Sequence, residues 1–148
     1  MNDLLNTFLG LTMADAGKAE ADFQFGLLLD ALRLIALNAE DQVAALPRFV
    51  VVPDEIALFF HDALLLLPQL VTRGLVPPHM TDPLMEIDRK LSAMTDAADR
   101  SVWTYAALAN HPDWEWLRER ARALLARMGC SLAWPQFTHT RWVSDNST

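Results

Sequence analysis

The stretch VVPDEIALFFHDALLLLPQLVTRG, residues 51–74, limits what this chain can fold into more than any other. Its apolar residues keep no two-residue alternation. A proline opens it and a glycine closes it, as in a helix with a defined start and stop. Wound at about 100° per residue, Ile56, Ala57, Phe59, Phe60, Ala63, Leu64 and Leu67 cover most of the circumference. A helix apolar on most sides needs neighbours on most sides. The expected architecture is therefore all-α, a single compact bundle of roughly five to seven helices around residues 53–73.

Strand signals are nearly absent elsewhere. RFVVV (48–52) is the one β-branched run. Pro53 ends it and no second run is there to pair with, so it reads as an extended connector. Helices are expected from Asn2 or Asp3 to about Met13, from near Lys18 to Asn38, and over 39–46 up to Pro47. Further helices are expected over 83–94, capped by Thr81 or Asp82, then over 101–109 and over 112–129, with a turn at 76–79 and a loop or fraying helix end at 95–101. Pro68 predicts a kink or break near Leu64–Leu67.

Phe25, Leu28, Leu29, Leu32, Ile35 and Ala36 recur at helical spacing in the second helix. In the last, Trp114, Leu117, Ala121, Leu124, Leu125 and Met128 do the same, leaving the arginines to the opposite side or to Glu115 and Glu119. Beyond Gly129 the periodicity stops. Trp134, Phe137 and Trp142 are expected to pack down as coil, and the chain to fray from about residue 144. No repeat or linker divides the 148 residues, which read as one domain.

The formal net charge is −7 and the pI near 4.9. That balance argues against nucleic acid, whose phosphates need Lys and Arg, and against docking to an anionic membrane. The whole imbalance lies in residues 1–62, where ten acids face only Lys18, Arg33 and Arg48. A one-sided negative field steers a basic partner, and it is equally what a surface kept for solubility looks like. Cys130, the only cysteine, excludes an internal disulfide and a cysteine-rich zinc site. MNDLLNTFLGLTMADAG lacks the basic start of a signal peptide, and the apolar runs fall short of the roughly 18 residues of a membrane span. A cytoplasmic protein is expected.

Asp54, Glu55, His61 and Asp62 interrupt the opening stretch. Asp54–His61 and Glu55–Asp62 are each seven residues apart, on one face but about 10 Å along the axis. Ligands of one metal must bring donor atoms within about 2.0–2.6 Å of it, which favours spacings of three or four. No metal and no cofactor is therefore expected. With Gln69, Arg73, Leu58 and Leu65 the four share a sector of about 120°. Such a stripe either receives lysines and arginines of a partner or is a solvated helix edge.

His79, His111 and His139 are scattered, and there is no GxSxG, HExxH or glycine-rich phosphate loop, so no catalytic residue is expected. The tryptophans and arginines of WEWLRERARALLAR read as an amphipathic helix before they read as a nucleic-acid stacking surface. A different class stays open: a small helical enzyme or ligand-binding bundle using His61 and Asp62 with groups from other helices.

Three segments in order, VPDEIALFFHDALLLLPQLVTRGLV, PLMEIDRKLSAM and SVWTYAALANHPDWEWLRERARALL, resemble small all-helical immunity proteins of contact-dependent inhibition and related polymorphic toxin systems. The likeness covers about residues 49–126. It rests on the PDEIAL opening of an apolar helix, the EID helix, and the tryptophan-bearing pair joined by HPDW. It implies a cytosolic protein that binds the C-terminal domain of a cognate toxin, commonly a nuclease, and blocks it. A basic toxin surface would complement the acidic balance of this chain. On that expectation the partner-binding residues are Asp22, Asp30, Asp54, Glu55, His61 and Asp62, the acids pairing with toxin cations.

Overall fold

The computed structural model describes residues 13–138 and 140–143. The helix expected before Met13, His139 and the tail from residue 144 lie outside the described residues. Within them run seven α-helices and no strand. They are α1 (Met13–Ala36), α2 (Ala39–Ala45), α3 (Val52–Leu64), α4 (Leu67–Thr72), α5 (Thr81–Asp96), α6 (Tyr105–Asn110) and α7 (Pro112–Arg127). The all-α bundle read from the sequence is the one observed.

Local chemistry sets most of the boundaries. Pro53 sits in the first turn of α3, and the preceding RFVVV is connector, as expected. The expected break falls at Leu65–Leu66, dividing α3 from α4. Gly74 and Gly129 take positive φ of 76° and 71° just past α4 and α7. Each is followed by the paired main-chain bonds of a left-handed C-terminal cap, Leu75 N to Leu70 O and Cys130 N to Leu125 O among them. α6 and α7 begin on side-chain caps, Thr104 accepting from Ala107 N and His111 Nδ1 from Asp113 N.

One cap is corrected. Neither Thr81 nor Asp82 caps α5, because a 3-10 turn at Pro78–Met80 runs straight into it and supplies its first bonds from main chain. Likewise 101–109 is a 3-10 turn, Ser101–Trp103, followed by α6 rather than one helix.

α1 packs against α7, α3, α4 and α2, and α5 against α7 and α3. The centre is thus shared between α1 and the 52–72 pair. Leu28, Leu32 and Ile35 of α1 meet Ile56 and Phe60 of α3 in one core with Trp114 and Leu117 of α7. Trp114 is fully buried, donates Nε1–H to Val102 O at 2.7 Å and meets Trp103 edge to face. Burying side chains of this size stabilises by about 1.5–3 kcal/mol each before chain entropy is counted.

The end of α1 would leave its last carbonyls bare. Gln42 Nε2 donates to Leu34 O and Ile35 O, Arg122 Nε to Ala36 O and Arg118 Nε to Leu37 O. Arg118 also donates to Leu108 O, to the Gln42 amide oxygen and to Glu115. It is 4% exposed, so the arginines of α7 do not all take the outer side: Arg118 is a core residue that ties α1, α2, α6 and α7.

Candidate functional site

The side chains that break the apolar pattern of α3 line its outer edge. Asp54, Leu58, His61, Asp62 and Leu65 are exposed and Glu55 is half-buried. Ile56, Phe60, Ala63 and Leu64 point inward. Asp54 and Glu55 stand in the first turn, where the helix dipole favours negative charge. Among the described residues no cation pairs with Asp54, Glu55 or Asp62. Partial burial, and then the charges of Asp62 and Asp54, hold the Glu55 carboxyl above the usual glutamate range.

His61 has a partner from another helix. Its Nδ1 lies 3.1 Å from Asp88 Oδ1 of α5. The open alternative uses His61 and Asp62 with groups from other helices; Asp88 is such a group, while Asp62, seen along the axis, is turned about 100° from His61. Asp88 had no sequence signal of its own beyond facing α3 from the buried side of its helix, alongside Leu84, Ile87 and Leu91.

Gln69 and Arg73 do not extend the stripe. The break at Leu65–Leu66 re-aims α4, and both residues face α1. Arg73 rests on Gly17, where an added Cβ would come within 2.9 Å of Nη2.

Asp30 is a correction. It is 8% exposed, and its two carboxylate oxygens accept from Gln136 N and Phe137 N, each at 3.0 Å. Each oxygen takes one main-chain N–H and pins the C-terminal coil to α1, which leaves Asp30 little surface to offer a partner. The coil then lays Phe137 and Trp142 against Phe59 of α3, with ring centroids 5.6 and 6.0 Å away. Trp134, expected to pack with them, stays 48% exposed. Asp22 is exposed on α1 and lines, with Asp30 and Arg33, a cavity of about 520 Å³ that none of the α3 acids touches. The six expected residues therefore divide into a group of four on α3 and a separate pair on α1.

The WEWLRER segment is largely occupied internally. Trp116 lies under Arg120 at 4.9 Å and Lys90 at 5.8 Å, Lys90 Nζ pairs with Asp113 at 2.8 Å, and Arg120 approaches Glu86 at 3.8 Å. This is a seam between α5 and α7. Among the described residues no cluster of three or more His, Cys, Asp or Glu could hold a metal ion, and no helix is long and apolar enough to cross a membrane. Compared with known protein families, curated proteins and solved structures, the chain has no match.

Proposed function

We propose that this chain is a non-catalytic immunity protein that acts in the cytoplasm by binding and covering a cognate toxin domain, most simply a nuclease with a basic surface. The observation that carries the reading is the α3 stripe. Three carboxylates stand on a helix whose other side is locked into the core, with no cation paired to them among the described residues, and partial burial, then repulsion from Asp62 and Asp54, raises Glu55. Lysines or arginines arriving from a partner would relieve that repulsion and gain charge-assisted hydrogen bonds. The resemblance of residues 49–126 to immunity proteins supplies the kind of partner.

The test pairs the chain with the product of the gene immediately upstream, whose C-terminal domain the reading expects to be the toxin. Wild-type chain should bind that domain and rescue cells expressing it. Asp54→Lys with Asp62→Lys should weaken binding at least about tenfold and flatten its salt dependence. Full protection by the double variant, with unchanged affinity, would remove the stripe from the interface. Failure of the wild-type chain to bind would remove the reading itself.

One observation favours a second reading, a ligand-binding bundle or small enzyme. The His61–Asp88 pair stands at the rim of an apolar cavity of about 670 Å³. Native mass spectrometry of the purified chain separates the two, because a tightly held metal or small molecule belongs only to the second.

A further inference from the structure

α3 and α5 lie side by side, and the furrow between them holds two cavities that share His61 and Asp88. One, of about 670 Å³, runs toward α4 with Leu65 and Val71 on one wall and Thr81 and Met85 on the other. The second, of about 310 Å³, runs the opposite way along α5, past Leu58 to Thr95 and Asp96. From Thr81 to Thr95 the helix rises about 21 Å, so the furrow is long for a compact small molecule and suits a length of polypeptide. The 3.1 Å contact of His61 with Asp88 crosses its middle.

On the lip stand Leu58 and Leu65, 57% and 63% exposed. Seven residues apart, they share a face about 10 Å from one another, with His61 between them. Among the described residues no lysine or arginine lines either cavity, whereas Asp88 and Asp96 do. In the neutral imidazole, an Nδ1–H given to Asp88 leaves Nε2 as an acceptor, and Asp88 keeps a second oxygen. An arriving N–H donor thus meets acceptors at the crossing and apolar walls on both sides of it.

We propose that the furrow seats a helical segment of the partner protein, carrying two apolar side chains seven residues apart and a lysine or arginine between them. The inference rests on α3 being the partner-binding face, and it names what that face reads. Apolar, polar, apolar along about 20 Å is the pattern one side of an amphipathic helix presents, and the negative charge of the furrow selects a cationic centre.

The probe is a helix-stabilised alanine-based peptide of about 14 residues with two leucines at i and i+7 and an arginine between. Control peptides replace the arginine by glutamate or both leucines by serine. Titrated into the 15N-labelled full chain, the arginine peptide should shift amides within 57–71 and 81–96. It should bind at least about tenfold tighter than either control. Leu58→Asn and Leu65→Asn, both exposed and so costing the fold little, should each weaken it without altering the rest of the spectrum.

Equal binding of the arginine and glutamate peptides, shifts elsewhere, no shifts, or indifference to Leu65→Asn would overturn the proposal. So would a dimer in light scattering that Leu65→Asn dissociates, since a second copy would then fill the furrow. A toxin domain found by the test of the proposed function separates the two levels. If Asp54→Lys with Asp62→Lys abolishes its binding and Leu58→Asn with Leu65→Asn does not, the furrow inference fails while the acidic face stands.

Discussion

At the C-terminus of α1 and along α3 the molecule treats charge in opposite ways. Around α1, Arg118 is buried, and its guanidinium donates to two carbonyls, an amide oxygen and a carboxylate. Burial pushes its pKa below the ordinary arginine value, and Glu115 works against that shift. Along α3, Asp54 and Asp62 stand in water and Glu55 half-buried beside them, three like charges with no counter-ion among the described residues. A buried charge survives only when its surroundings satisfy it, so such a group is committed to the fold. An unpaired charge on a rigid exposed edge contributes little to stability and stays free for another molecule.

The sharpest way to break this contrast is Arg118→Met. It leaves Leu37 O, Leu108 O and the Gln42 amide oxygen without their donor, at an expected cost of about 3 kcal/mol in urea unfolding with an unchanged m-value. A cost under about 1 kcal/mol would mean water replaces the guanidinium and the region is not a closed network.

Asp30→Ala comes next, at about 1–2 kcal/mol. It should release the coil from α1, which limited proteolysis within 131–143 would detect, and it should leave partner binding intact. Binding lost while the coil stays protected would return Asp30 to the interface.

Asp54→Lys with Asp62→Lys should change stability by no more than about 0.5 kcal/mol, because both side chains are exposed and unpaired. A large loss would show that the stripe serves the fold after all.

The smallest effect is expected at Glu55→Gln. The folded carboxyl lies above its ordinary value of 4.5, so the folded state binds the proton more tightly than the unfolded chain does. That contribution is fully present below about 4.5 and is lost as pH rises through the folded value, leaving ionised Glu55 a net cost at neutral pH. Glutamine should therefore stabilise the protein at pH 7 by about 0.3 kcal/mol or less. The gain should vanish in acid. A destabilised variant at pH 7 would mean that Glu55 has a partner in solution.

Residues whose role depends on near neighbours in sequence were legible. Pro53, Gly74, Pro112 and Gly129 mark helix ends through their own φ preferences and missing donors, and the ends fall beside them. Five of the six apolar positions read in the last helix are buried, with Met128 only partly so, because that stripe follows from helical geometry alone. The wet edge of α3 was legible for the same reason, as far as Leu65. Past it, the turn at Leu65–Leu66 rotated Gln69 and Arg73 onto α1, and one-helix projection lost its frame.

What the sequence determined by itself is the helical class, the places where helices stop, and an acidic stripe on one side of residues 52–65. These follow from backbone sterics and a period of about 3.6 residues, which act over a few positions. Only the tertiary structure decided that Arg118 lies inside, that Asp30 holds main chain more than a hundred positions away, and that His61 meets Asp88. Each is a side chain satisfied by a group brought near by packing, and which polar atom is left wanting a partner is known only once the helices have docked.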